Sequence, residues 1–290
     1  MTNKKIISRN IFIYMLSYKH GYHAGNHADV VKHIILLYLY NLEKKTDNSI
    51  SYIDTHSGNG VYKYISRYMD KTKEYKDGIK KIQNYNGNNI LIKNYLSTIS
   101  KITGKNNYYP GSPIFISSIS SNKDKLFFCE LHKNEYDLLK KNLKKYTNTK
   151  ILNVDGFDFV FKKVNNDKNY FIFIDPSYEI KNDFSRVEVI LNNIDKLFLK
   201  SKIIIWYPVL DILENDTFIQ NIRKKGISNI VNIEVPIKKY GDNVGMQGSG
   251  LLLVNFTNRS IMKNLKEIIK EIQNILKQEE NSTRFKLRYL

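Results

Sequence analysis

Four strand-length apolar runs of this chain end, one after another, in an acid, and that repetition constrains the fold more than any other feature. The runs are Ser49 to Asp54 (S-I-S-Y-I-D), Lys125 to Glu130 (K-L-F-F-C-E), Lys150 to Asp155 (K-I-L-N-V-D) and Tyr170 to Asp175 (Y-F-I-F-I-D). Helical patterns alternate with them. One starts at Asn26, a plausible N-cap, and runs to about Lys44; others cover Asn134 to Tyr146 and Ser185 to Leu199. Strands alternating with helices predict an α/β sheet, and ligands of such sheets bind outside the carboxyl ends of the strands. Asp54, Glu130, Asp155 and Asp175 are therefore predicted to converge.

Further strands are predicted at Lys202 to Tyr207, Ile230 to Val235 and Leu251 to Phe256, giving seven with an antiparallel edge. Helices around Asp216 to Lys225 and from Ser260 to Lys277 complete the fold, the last one ending it. The gap between the first two strands is too long for a plain βαβ unit. Residues 61–107 carry polar helical patterns at Tyr64 to Tyr85 and Ile90 to Ile102, which predicts an inserted small helical subdomain. The core is then 15–60 and 108–290. The insert closes at Tyr108 to Pro113 (Y-Y-P-G-S-P), read as a rigid turn that lines a pocket or caps a helix.

Lys and Arg number 46 against 28 Asp and Glu, a formal charge of +18. Such a surplus favours polyanions through counterion release, although a coding bias toward Lys, Asn, Ile and Tyr yields the same count. The single cysteine, Cys129, excludes an internal disulfide and a cysteine-based zinc site, and suits a reducing cytoplasm. No apolar stretch approaches the ~20 residues that span a bilayer. Residues 1–14 are basic and acid-free, a tail or a start placed too early, with Met15 the alternative initiator.

The acids gain chemistry from their neighbours. Asp54 opens a glycine-rich turn, Thr55 to Gly60 (T-H-S-G-N-G), in which the backbone can approach a nucleoside. The full G-x-G-x-x-G is absent, which favours a cofactor without phosphates, such as S-adenosylmethionine, over a dinucleotide. Glu130 can accept from ribose hydroxyls, and Asp155 with Gly156 can receive an adenine; an acid at a strand end is equally an ordinary surface residue, and Asp-Gly an ordinary turn. His23 and His27 stand four apart with Gly25 between them, so hydrogen bonding suits them better than metal ligation. His33, further along the helix, reads as a partly buried imidazole.

Asp175-Pro176-Ser177-Tyr178 taken alone is a common turn. As the fourth acidic strand end, it can activate an adenine amine. The Asp175 carboxylate and the Pro176 carbonyl would accept the two amine hydrogens, favouring a pyramidal nitrogen, while Tyr178 stacks on an unstacked base. Lys238 and Lys239, in the glycine-rich loop before the last strand, are candidates for RNA contact.

Eight segments together resemble the RlmJ family of bacterial 23S rRNA adenine-N(6)-methyltransferases. They are Met15 to His20 (M-L-S-Y-K-H), Gly25 to Val30 (G-N-H-A-D-V), Asp54 to Gly60, Tyr108 to Pro113, Glu130 to His132 (E-L-H), Asp155 to Phe157 (D-G-F), Asp175 to Glu179 (D-P-S-Y-E) and Trp206 to Val209 (W-Y-P-V). The resemblance implies a Rossmann-like class I methyltransferase fold. It also implies S-adenosylmethionine contacts at His33, His56, Ser112, Glu130, Asp155 and Gly156, with Lys32 a weaker neighbour, and Asp175 as catalytic acceptor. Tyr18 matches a position implicated in RNA recognition. The implied partner is 23S rRNA, with no membrane or protein partner and a monomer as default. The family's chemistry usually rests on D-P-P-Y or N-P-P-Y, whereas this chain has Ser177 at the third position. DNA adenine methylation and an RNA-binding protein with a decayed site are the competing readings.

Overall fold

The structure, a computed structural model, describes residues 20–46, 49–64, 69–178, 182–210, 212–239, 245–280 and 282–290. Its strands are β1 (Ser51–Asp54), β2 (Val61–Lys63), β3 (Tyr108–Pro110), β4 (Lys125–Cys129), β5 (Thr149–Leu152), β6 (Tyr170–Ile174), β7 (Lys202–Val209), β8 (Ile230–Pro236), β9 (Gly248–Val254) and β10 (Lys286–Tyr289). The main sheet has the order β10-β8-β9-β7-β6-β1-β4-β5. Pairings from β5 through β7 are parallel, and β9 runs antiparallel to both β7 and β8. This is the Rossmann-like, class I methyltransferase arrangement that the resemblance implies.

Strand alternation feeds two apolar layers, one on each face of the sheet. In β6, Phe171 and Phe173 join one layer, while Ile172 and Ile174 join the other. In β7, Ile204 and Trp206 face the first layer, and Ile203, Ile205 and Tyr207 the second. Every residue of β6 is buried, as a central strand covered on both faces requires. The first layer is packed by helices α1 (His27–Thr46), α3 (Ser112–Ile119), α4 (Lys133–Asn142) and α8 (Arg259–Leu276); the second by α5 (Gly156–Lys163), α6 (Asn182–Leu191) and α7 (Ile212–Lys224). Among the described residues, no helix is long and apolar enough to cross a membrane.

Helix α1 starts where expected. The Asn26 side chain accepts from the Asp29 N–H at 3.0 Å, and Asn26 O from the Val30 N–H at 3.1 Å. Gly25 precedes the cap at φ 76°, a left-handed turn that a side chain would strain.

Three expectations need correction. The sheet has eight strands, not seven, because the chain continues past α8 into β10, which pairs antiparallel with β8. There Lys286 Nζ lies 3.3 Å from the buried Glu234 carboxylate. A four-residue, basic edge strand carries too little apolar periodicity to be recognised. The stretch from Tyr64 to Tyr85 is not one helix; its described part forms single turns at Met69–Thr72, Glu74–Lys76 and Ile79–Ile82. Lysines and Gly78 interrupt its apolar spacing. The Tyr108–Pro110 turn is a strand, paired antiparallel with β2. Between β2 and β3 the only long helix among the described residues is α2 (Ile90–Thr103). Its Ile92 and Tyr95, like Ile79 and Ile82 before it, belong to the same apolar layer as α1.

Candidate active site

The chain runs from β1 outward to β4 and β5, then returns to β6 on the other side of β1. A crevice opens at the carboxyl ends where the order reverses. A cleft of ≈ 400 Å³ lies there. Asp175, Pro176, Tyr178, His33, His56, Ser112, Glu130, Asp155 and Gly156, nine positions singled out from sequence, all line it.

Three of the four acidic strand ends reach the cleft, and Asp54 does not. It is fully buried beneath the wall, where its carboxylate accepts from Ser112 Oγ at 2.6 Å and from the His56 N–H at 3.2 Å. Burial pushes its pKa up to about 7. Asp54 thus fixes the Ser112 hydroxyl and the turn after β1.

Glu130 sits opposite, accepting from the Gly58 N–H at 2.8 Å and the His132 N–H at 2.7 Å. One bond falls on each oxygen, so each keeps acceptor capacity, as recognition of a diol requires. Burial raises this carboxyl to about 7 as well.

Asp155 caps α5 by accepting from the Asp158 N–H at 3.1 Å. It is also gripped by Arg186, whose two terminal nitrogens donate to its two oxygens at 2.7 Å each. Burial would raise the Asp155 carboxyl, but Arg186 outweighs it and holds the pKa below its ordinary value. The Arg186 guanidinium lies 4.4 Å from the Phe157 ring centre, and the His56 ring meets the same phenyl edge-on at 5.0 Å. A Cβ on Gly156 would stand 2.0 Å from Thr55 O, so only glycine lets α5 begin this close to the turn after β1.

At the far end, Asp175 follows β6 and its Oδ2 lies 2.6 Å from Lys32 Nζ. The same ammonium lies 2.8 Å from Asp29 Oδ1 and 5.2 Å from the Trp206 ring centre. Burial raises the Asp175 pKa, and Lys32 opposes the rise. Asp29 also accepts from His20 at 3.1 Å and from the Gly25 N–H at 2.8 Å. Burial works against its charge, yet His20 and Lys32 keep its pKa well below the ordinary value. Among the described residues, neither Asp175 Oδ1 nor the Pro176 carbonyl has a hydrogen-bond partner.

Tyr178 adopts φ 54°, a conformation that costs a non-glycine residue about 1–2 kcal/mol. Its N–H donates to Asp183 Oδ2 at 3.1 Å, and its hydroxyl to Trp206 O at 2.7 Å. The Phe184 ring packs on it at 4.5 Å between centroids.

The histidines do not share a centre. His23 binds Glu74 at 2.9 Å, and His33 meets the Tyr109 hydroxyl through Nδ1 at 2.7 Å. Burial lowers His33 to about 3, leaving it neutral. Lys238 and Lys239 are outside the cleft lining: Lys238 O accepts from the Thr283 N–H, and the Lys239 N–H donates to Glu279. Tyr18 lies outside the described residues.

Sequence reading assigned no role to Asp29, Asp183, Arg186 or Trp206, although Asp29 and Trp206 stand in two of the segments that carry the family resemblance. Asp29 and Lys32 are three apart in the first two turns of a capped helix, a spacing that puts them on one face. Asp183 and Arg186 repeat that spacing, which was the available signal.

A family model described as ribosomal RNA large subunit methyltransferase D, RlmJ, matches residues 47–288. Ribosomal RNA large subunit methyltransferase J of Haemophilus influenzae is 34% identical over 245 residues, covering 83% of this chain and 87% of that protein. The protein of the same description from Escherichia coli is 32% identical over 244 residues, with coverage of 83% and 87%. A crystal structure of a Legionella pneumophila protein, 32% identical, superposes with a TM-score of 0.79 over 92% of this chain and 98% of that one.

Proposed function

The chain belongs to the RlmJ family of ribosomal RNA large subunit methyltransferases, and from that premise we propose that it methylates the exocyclic amine of one adenine in 23S rRNA, with S-adenosylmethionine as donor. The observation that carries the adenine assignment is the pair of adjacent acceptors, Asp175 Oδ1 and the Pro176 carbonyl, both without partners among the described residues and both on the cleft. An aromatic amine is a weak nucleophile because its lone pair is delocalised into the ring. Two acceptors on its hydrogens favour a pyramidal nitrogen with the lone pair directed at the methyl group.

The residues around the cleft suit the cofactor. Glu130 retains an acceptor site on each oxygen for a ribose diol, and Gly156 presents backbone rather than a side chain. Asp155, clamped by Arg186, is oriented for an adenine, while neutral His33 and His56 add no positive charge beside a sulfonium. When bound, the cofactor supplies an electrophilic methyl group.

Asp175 does not remove a proton in advance, since a carboxylate is too weak a base for an arylamine. It holds the amine and takes the proton as the nitrogen becomes cationic. Tyr178, pinned by Trp206 O and Phe184, is the platform for a base turned out of its stack. The net charge of +18 favours a phosphate-rich substrate, with turnover that declines as salt rises.

Incubation with deproteinised 23S rRNA, assembled large subunits and duplex DNA, followed by nucleoside mapping, tests this reading. N(6)-methyladenine in 23S rRNA at one position, abolished by Asp175→Ala with cofactor binding intact, is the expected result. Methylation of DNA alone, or near-normal turnover of Asp175→Ala, defeats it.

A further inference from the structure

The turn that carries Asp175 and Pro176 ends in a residue the backbone does not favour. Tyr178 has φ 54°, and the position before it is Ser177, whose φ no ring restricts. Something outside the turn has to hold this conformation. Asp183, in the first turn of α6, accepts the Tyr178 N–H at 3.1 Å, and its neighbour Phe184 packs on the Tyr178 ring. Backbone and ring of Tyr178 are therefore both held from two consecutive residues of one helix. One helical step later, Arg186 ties that helix to Asp155 through paired hydrogen bonds.

We infer that Asp183 is a positioning residue, which fixes the Asp175–Tyr178 turn and thereby the two acceptors of the methyl-transfer site. Its action is through Tyr178 and not on the substrate. The inference rests on the proposed adenine chemistry for its kinetic consequence, but the structural link is testable without substrate. An acid in the first turn of a helix also stabilises that helix through its charge. The two roles separate on substitution: Asn keeps an acceptor oxygen of the same reach and loses the charge, whereas Ala loses both.

Trp206 provides an independent reading, because it is the only tryptophan of the chain and its ring centre lies 5.9 Å from that of Tyr178. In the full-length protein, without rRNA or cofactor, Asp183→Ala should shift the Trp206 emission, and Asp183→Asn should leave it near that of the parent. In steady-state methyl transfer to 23S rRNA, Asp183→Ala should lower kcat by about ten- to a hundredfold with KM for S-adenosylmethionine unchanged, and Asp183→Asn should restore most of it.

Unchanged Trp206 emission in Asp183→Ala overturns the inference. So does Asp183→Asn falling as far as Asp183→Ala, which would assign the residue to helix charge; if Asp183→Ala does not fold, parent-like emission and turnover of Asp183→Asn support the inference, and a shifted emission with about tenfold lower kcat overturns it. Failure of the adenine chemistry has a different signature: Asp175→Ala would keep its turnover while the Trp206 response to Asp183→Ala persisted.

Discussion

Lys32 Nζ stands 2.6 Å from Asp175 Oδ2, and Asp29, three residues earlier on the same helix, holds that ammonium from the other side at 2.8 Å. The side chains of Lys32 and Asp29 are almost wholly buried, and that of Asp175 is 12% exposed. Two carboxylates flanking one cation in such a setting tolerate the loss of one another better than the loss of the cation.

Lys32→Met is accordingly expected to cost about 3–5 kcal/mol of folding stability, the range for leaving a buried charge unpaired. Urea denaturation followed by Trp206 fluorescence checks the value. The pKa of Asp175, already raised by burial, should rise further, moving the acidic limb of the rate profile to higher pH.

Gly156→Ala places a Cβ 2.0 Å from Thr55 O, a backbone atom that cannot rotate away. Displacing α5 from the β1 turn should cost about 1–3 kcal/mol. The same displacement opens the floor beneath the Asp155 side of the cleft, so cofactor affinity should fall together with the melting temperature. Calorimetric titration alongside a thermal melt reads both.

The strand-end acids were legible because strand periodicity and chain order place residues at one edge of a sheet before any side chain is known. What those acids bind was not. Asp54 turns inward to Ser112, and Asp155 is claimed by Arg186, because partners 31 and 58 residues away are set by tertiary packing. Lys32 was visible only as a weaker neighbour of the cofactor contacts that the resemblance implies, and its pairing with Asp175 needed β6 and α1 to be brought together. β10 escaped notice because its four residues, three half-buried and Tyr289 exposed, are stabilised by pairing with β8, a non-local term.

Ser177→Pro tests the departure from the two-proline pattern. No backbone hydrogen bond from the Ser177 N–H is present among the described residues, so the substitution removes none. Restricting the turn is worth about 0.4–1 kcal/mol at a compatible site. Methyl transfer should therefore change by no more than a few-fold. A much larger gain would mean that the Asp183 bond does not hold the turn in the parent chain.

Burial holds His27, His33 and His56 neutral, with values lowered to about 4, about 3 and about 4. The unfolded chain protonates its histidines near pH 6.5. Between roughly pH 4 and 6.5 the unfolded state thus binds more of these protons, and their contribution makes stability rise with pH. Asp54 and Glu130, raised to about 7, act oppositely, since the folded state keeps protons that the unfolded chain releases near pH 4. Burial raises Asp175 and Asp183 too, so they act with Asp54 and Glu130, and the histidine share of the slope is read by removing one histidine at a time. His27→Asn should reduce the slope near pH 5 by about one proton, or ~1.4 kcal/mol per pH unit, in denaturation series at successive pH values.

Arg186→Lys separates orientation from charge at the other end of the cleft. Both terminal nitrogens of Arg186 meet Asp155, and its guanidinium lies on Phe157, a planar arrangement that an ammonium cannot reproduce. Lysine keeps a positive charge near the carboxylate but can meet only one oxygen, so Asp155, with the Asp158 N–H still on Oδ1, gains freedom to rotate about its terminal bond. If Asp155 receives the cofactor's adenine, this freedom should raise the KM for S-adenosylmethionine about tenfold, the equivalent of ~1.4 kcal/mol of lost orientation. Turnover at saturating cofactor should stay near the parent value, because Asp175 and Lys32 are untouched. A lowered melting temperature with unchanged KM would instead restrict Asp155 and Arg186 to capping α5 and joining it to α6.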